Sequence, residues 1–290
     1  MLRNYYLYIN NTMILATNKG GLANRMRCIA SCYKFSNDKS LTYGVIWNVL
    51  DDYRKDNHIL NCPFNLLFEN KIEYNGSREI LGNLYEYKSH CLLIEDSDHI
   101  PDGFNTFRSK CGVNFIKSDK RGRNIDFMYN KIPETIRKKF INAFRILRPH
   151  HELSKEIETF SKEKFDDDTV SVHIRSWSRN AEGSRRDYLH DLKKYEREMR
   201  LCPSHSRFFI SSDSSEVLRY FRESDEWRER VIFYNRKTDL DTSRDHSEGV
   251  REDLIELYLL SKNKSLIGSH FSTFSEVAWW LGGCMDVVIV

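Results

Sequence analysis

Apolar positions along the chain change period at a few places, and those changes mark the elements. Residues 13–17, Met-Ile-Leu-Ala-Thr, form a short apolar run closed by Asn18-Lys19-Gly20-Gly21. This predicts a buried strand ending in a glycine turn. From 24 to 35 the period becomes helical, with Met26, Ile29, Ala30 and Tyr33 on one face. Strand, glycine turn and helix is how an α/β unit opens. Residues 41–46 and 91–94 read as strands, with loop-rich sequence between them. Pro133 opens a helix whose apolar face is Ile136, Phe140, Phe144 and Leu147. Pro149 closes it, and a polar helix follows to about Phe165.

The second half alternates more clearly. Strands are predicted at 169–174, 207–211, 231–234, 265–268 and 287–290. Helices are predicted at 188–201, 214–221, 250–261 and 274–281. Five strands separated by helices predict an α/β fold with a parallel, doubly wound sheet. Such sheets bind ligands at the carboxyl ends of their strands, near a topological switch point. The residues that follow each strand are therefore the candidates for chemistry.

After the first strand, Gly20 and Gly21 serve either as a plain strand–helix turn or as a place where a ligand meets the backbone. Neither a G-x-x-x-x-G-K-[ST] nor a G-x-G-x-x-G occurs. In the strand 169–174, His173 and Arg175 share a face. An arginine there is either a surface ion-pair partner or a planar fork for phosphate. Ser211-Ser212-Asp213-Ser214-Ser215 follows the next strand, as a helix cap or as a contact for ribose and base. Thr273-x-x-Glu276 reads as a capping box with Thr273 as the cap. The free N–H groups of that helix start favour an anion by about 0.3–2 kcal/mol. Ser272, Thr273 and Ser275 add hydroxyls. Together these strand ends describe a cleft for a phosphorylated ligand.

Composition narrows the classes. Lys+Arg total 45 and Asp+Glu 42, a net charge of +3, with basic residues interspersed among acids. This argues against a nucleic-acid partner and requires any anion to be met by locally placed charge. No apolar run approaches the roughly 20 residues of a membrane span, so no integral membrane segment is expected. The start is too short and too rich in Tyr and Asn for a secretory signal. The 7 cysteines are scattered with no C-x-x-C, which suits a reducing, cytoplasmic compartment. Sequons at Asn10, Asn75 and Asn263 would be acceptors only in a glycosylating compartment.

The order of these motifs resembles the fucosyltransferase superfamily. Gly20-Gly21-Leu22-Ala23-Asn24-Arg25 resembles its N-terminal glycine motif, and Val172-His173-Ile174-Arg175 its H-x-R motif. Residues 208–213 are similar to its second motif. Residues 253–261, with Ser272-Thr273-Phe274-Ser275, resemble its C-terminal helix and S-x-F-S block. The superfamily takes in α1,6-fucosyltransferases (Nod-factor enzymes among them), α1,2-fucosyltransferases and protein O-fucosyltransferases. On the donor side the resemblance covers about 169–283; on the N-terminal side only the first motif matches.

The resemblance implies a GT-B fold of two Rossmann-like domains facing across a cleft, an acceptor side at 1–150 and a nucleotide-sugar donor side at 151–290. It implies an inverting glycosyltransferase that moves L-fucose from GDP-fucose to a carbohydrate or glycoconjugate acceptor, with no cofactor or metal required. By the same resemblance Arg175 would hold the β-phosphate, with His173 lining its site. Asp213 and Asp253 would lie near the nucleoside, Asp253 reading guanine. Ser272, Thr273 and Ser275 would receive phosphate oxygens, and Gly20, Gly21 and Asn24 would approach the diphosphate from the other domain. Ser176 departs from the α1,6 pattern, which carries a second arginine there. Glu182, then Asp187, are the candidate bases. Three alternatives remain at this point. One is another GDP- or UDP-sugar. Another is a metal-dependent transferase using a D-x-D such as Asp96-Ser97-Asp98, Asp166-Asp167-Asp168 or Asp239-Leu240-Asp241. The last is a non-catalytic nucleotide- or carbohydrate-binding domain.

Overall fold

Ile14, Leu15 and Ala16 are almost completely buried because the strand that carries them is the middle of a parallel sheet. In the computed structural model the described residues are 13–47, 60–74, 84–87, 92, 116–118, 125–127, 132, 134–176, 191–269 and 272–290. Strand β1 (Met13–Ala16) leads into helix α1 (Leu22–Lys39) and then β2 (Thr42–Val45). A short α2 (Phe64–Leu67) precedes β3 (Leu84–Tyr87), and the sheet runs β2-β1-β3, all parallel. Helix α1 is longer than its predicted core. It ends at Ser40, whose φ of 54° turns the chain so that the Ser40 and Leu41 N–H groups bond back to the last turn. Strand β3 lies in sequence that read as loop. Strands β4 (Ile116–Ser118) and β5 (Ile125–Phe127), where the sequence suggested no element, form an antiparallel pair. The predicted strand at 91–94 lies, apart from Leu92, outside the described residues.

Helix α3 (Glu134–Arg145) buries Ile136, Phe140, Ala143 and Phe144, the face its spacing predicted. Helix α4 (His151–Lys164) follows. The second sheet is then built as expected, by alternation. Its elements are β6 (Thr169–Ile174), α5 (Leu192–Leu201), β7 (Arg207–Ser212), α6 (Ser215–Glu223), β8 (Val231–Ile232), a 3₁₀ turn (Leu240–Asp245), α7 (Ser247–Leu260), β9 (Ser265–Gly268), α8 (Thr273–Leu281) and β10 (Asp286–Ile289). The strand order is β10-β9-β6-β7-β8, parallel throughout. The chain moves outward from β6 to β8, then returns to the other side of β6. The switch point is therefore between β6 and β9.

Alternation along β6 separates two cores. Val170, Val172 and Ile174 pack toward α5 and α6, with Phe208, Ile210 and Trp227. Ser171, His173 and Ser211 face the opposite way, and each finds a polar partner on α7 or α8. On that side one apolar core runs without a break from β1 and α1 through α3, α7 and α8. Trp280 of α8 stacks on Phe144 of α3, with ring centroids 5.9 Å apart. Among the described residues no helix is long and apolar enough to cross a membrane.

Two expectations change here. Asn263 is 8% exposed, and its amide donates to Ser171 Oγ at 2.9 Å. That nitrogen is a structural donor in the folded chain, not a sugar acceptor. Asn10 and Asn75 lie outside the described residues. Asp166 and Asp168 sit at the amino end of β6. Asp166 Oδ1 accepts the Thr169 hydroxyl and the Asp168 N–H, so this D-x-D is a turn at the far end of the sheet from Arg175. Asp96 and Asp98 lie outside the described residues.

Candidate functional site

The β6–β9 ladder is paired only as far as Val172 and Ile267. Beyond it the strands are bridged by a side chain instead of backbone. Ser269 Oγ donates to the His173 carbonyl at 2.8 Å and accepts the Arg175 N–H at 2.7 Å. The Tyr195 hydroxyl from α5 lies 2.7 Å from the same oxygen. A serine has one proton to give, and His173 O takes it, so Tyr195 donates to Ser269. Arg175 is thus held at the switch point, the place where doubly wound sheets have their ligand crevice.

His173 is buried beside it. Its Nδ1 lies 2.7 Å from Ser275 Oγ, and its ring stacks on Phe274 at 5.0 Å. Ser275 Oγ also accepts the Ser269 N–H at 2.9 Å; with one proton and a second lone pair it can pair with either neutral tautomer of the ring. Burial pulls the His173 pKa down to about 3; Asp213 pulls it up and Arg175 down. The ring is neutral at working pH. It is not a second cation.

Arg175 is positioned by its neighbours on both sides. Nη1 lies 2.8 Å from Asp213 Oδ2, and Asp213 Oδ1 accepts the Ser176 N–H at 2.6 Å. Burial works to raise the Asp213 carboxyl, but the Arg175 charge and that N–H outweigh it and hold the acid below its ordinary range. Asp213 therefore orients the guanidinium as an ionised partner. Within the serine cluster, Ser214 caps α6 by accepting the Val217 N–H, the capping role foreseen for that run.

The start of α8 differs by one residue from the predicted box. Ser272 is the cap and accepts the Ser275 N–H at 3.4 Å; Thr273 is the first helical residue. Glu276 does not reach back to close a box. Its Oε2 pairs with Arg27 of α1 at 3.3 Å, and its Oε1 accepts Trp280 Nε1–H at 3.2 Å. Burial gives the reason: both charges lie in the core, where an unpaired acid is costly. Ser275 turns inward to His173, while Thr273 at the helix start is only partly buried.

Gly20, Gly21 and Asn24 stand on the other sheet, at the start of α1. A Cβ on Gly20 would lie 2.8 Å from Asn24 Nδ2 and 3.0 Å from Asn18 Oδ1, so a side chain there would have to push the Asn24 amide aside. Gly21 is different. Its φ of −62° suits any residue, and a Cβ there would meet nothing within 4 Å. Gly21 begins α1 without a side-chain cap, facing open space. Asn24 Oδ1 is buried with no partner among the described residues. Arg25 holds the turn: Nε donates to Gly20 O at 2.8 Å, Nη1 to Trp47 O, and the guanidinium lies over the Trp47 ring.

Asp253 belongs to a separate cluster under the β7–β8 end. Arg236 Nη1 lies 2.9 Å from Asp253 Oδ1 and 3.3 Å from Glu256 Oε2, and its Nε lies 3.5 Å from Glu252. Glu256 also accepts Ser211 Oγ–H at 2.9 Å. Burial pushes Glu256 up to about 7 and raises Asp253 as well, Arg236 opposing both. The Asp253 side chain is 19% exposed, the most accessible acid of the three. Glu182 and Asp187 lie outside the described residues.

Ser269, Tyr195 and Arg236 were not singled out from sequence. Ser269 directly follows a strand, which was signal enough to include it. Tyr195 is one aromatic on a charged helix, and Arg236 is one of many arginines.

No family model matches the chain, and no curated protein matches it. Solved structures do. NodZ α1,6-fucosyltransferase of Bradyrhizobium, in a crystal soaked with GDP-fucose, superposes with a TM-score of 0.53 at 14% identity, over 94% of this chain and 93% of that one. A mutant of Arabidopsis thaliana FUT1 in complex with GDP gives 0.57 at 12% identity, over 97% of this chain and 70% of that one. At 12–14% identity what is shared is the architecture: the chain has the GT-B fold of the fucosyltransferase type.

Proposed function

We propose that the chain is an inverting fucosyltransferase that moves L-fucose from GDP-fucose to a hydroxyl of a carbohydrate or glycoconjugate, with residues 151–290 binding the donor and 1–150 facing the acceptor. The observation that carries this reading is Arg175 at the switch point, its N–H tied to Ser269, which closely precedes the N-terminus of α8. A diphosphate leaving group is the chemistry such a pair suits. The glycosyl C1–O bond breaks and its electron pair stays on the β-phosphate oxygen. Arg175 and the α8 N–H groups meet that charge, and donors already in place are usually the largest catalytic term. Neutral His173 lines the site without adding charge. The acceptor oxygen attacks C1 from the opposite face and its proton passes to a base, for which Glu182 and then Asp187 are our candidates. Asp253 is our candidate for guanine. The reading uses no metal or cofactor. Crystals of the two similar enzymes held GDP-fucose and GDP, which supports this nucleotide.

The test is a melting-temperature panel of nucleoside diphosphates followed by transfer assays. A ligand at 100 times its Kd stabilises the fold by about 2.7 kcal/mol. GDP should stabilise and UDP should not, and GDP-fucose should release GDP in the presence of a chelator. Stabilisation by UDP alone, or nucleotide binding with no turnover on any acceptor, would overturn the reading.

A further inference from the structure

Arg27 and Glu276 form an ion pair that the crevice itself does not use. Arg27 is in the second turn of α1, just beyond Gly20 and Gly21; Glu276 is in the first turn of α8, just beyond Ser272. Their atoms lie 3.3 Å apart with the side chains 8% and 3% exposed. The second Glu276 oxygen is taken by Trp280, and Arg27 Nε is buried without a partner among the described residues. The helices around them belong to one apolar core.

Stability is a poor reason for such a pair. Buried charges lose hydration, and well-packed apolar residues of the same size often hold a fold as well or better. What the pair does is select one register. Two apolar helix faces tolerate a slide past one another, whereas a slide here would leave two buried charges unmatched. The helices it locks are the two whose N-termini begin at the ends of β1 and β9, one in each sheet.

We propose that Arg27 and Glu276 are a positioning pair that holds the Gly20-Gly21 turn and the N-terminus of α8 at the spacing of one diphosphate bound between them. This rests on the nucleotide-sugar reading above. Neither residue touches the ligand; both act through the helix starts they fix.

The test compares melting temperature with GDP affinity by calorimetry in wild type, Arg27→Lys, Glu276→Gln and the double variant Arg27→Met/Glu276→Met. The double variant should melt at or above the wild-type temperature yet bind GDP about tenfold more weakly. Arg27→Lys, which keeps the charge, should recover part of that loss. A double variant that melts normally and binds GDP like wild type overturns the proposal. If the double variant does not fold, Glu276→Gln decides: weaker GDP binding supports the pair, and unchanged binding overturns it. A wild-type protein that binds no nucleoside diphosphate brings down the donor reading and the pair together. Equal binding by wild type and variant brings down the pair alone.

Discussion

Ser269 and Arg175 are joined side chain to backbone, with the serine oxygen accepting the arginine N–H at 2.7 Å where a parallel ladder would have continued. Ser269→Ala would leave three groups without that partner: the Arg175 N–H, the His173 carbonyl and the Tyr195 hydroxyl. A buried group left unsatisfied costs about 1–3 kcal/mol. The variant should therefore melt lower and also bind nucleotide more weakly, because the arginine loses its anchor. Tyr195→Phe removes one of the three bonds and should show a smaller loss of both. A Ser269→Ala protein with wild-type nucleotide affinity would separate the clamp from the site.

Arg175→Lys tests the fork. Lysine keeps the charge but cannot give two parallel N–H bonds to a phosphate. We expect kcat to fall by about 10²–10³-fold, the scale for losing one preorganised oxyanion donor. The melting temperature should stay close to wild type, since the Arg175 side chain is partly exposed and its ion pair with Asp213 is retained in kind. Wild-type turnover in this variant would remove Arg175 from the chemistry.

Asp253→Asn tests base reading. Arg236 keeps Glu252 and Glu256, so the fold should lose little stability, on the order of 1 kcal/mol. If the exposed carboxylate oxygen reads guanine, the preference for GDP over UDP narrows while binding of the diphosphate survives. An unchanged preference in competition binding would leave Asp253 as a partner of Arg236 alone.

Glu256 predicts a pH dependence. Its folded value of about 7 stands above the ordinary carboxylate value of 4.5 because burial disfavours the charge. Between those values the native state holds a proton that the unfolded state has released. Stability therefore falls as pH rises from about 4.5 through about 7, by up to roughly 3 kcal/mol. Glu256→Gln keeps the acceptor for Ser211 and should flatten that part of a melting-temperature profile. A profile with the same slope in the variant would assign the dependence to other groups.

The second sheet was legible because each strand is short, apolar and followed by a helix. A parallel sheet covered on both faces leaves little else for that alternation to be. The meeting of residues 173–175 with Ser269 and Ser275 was legible for the same reason: topology alone puts the carboxyl ends of β6 and β9 side by side. The helix cap was misread by one residue because Ser272 and Thr273 both suit the position, and Glu276, the expected box partner, is claimed by Arg27. That claim comes from across the chain and has no local sign. Strand β3 was missed because Leu84-Tyr85-Glu86-Tyr87 follows glycine and asparagine and carries no long run; its register against β1 decides it.

The packing of α1 against α8 also bears on how the chain is made. The helix that follows the first described strand is completed by one that emerges from the ribosome some two hundred and fifty residues later. Until then Arg27 has no counter-charge and an apolar face of α1 has no cover. The packing of α1 on α8 therefore calls for a long-range docking, of the kind that is slow and exposes aggregation-prone surface while it waits. A nascent chain stalled before residue 273 should be a client of chaperones.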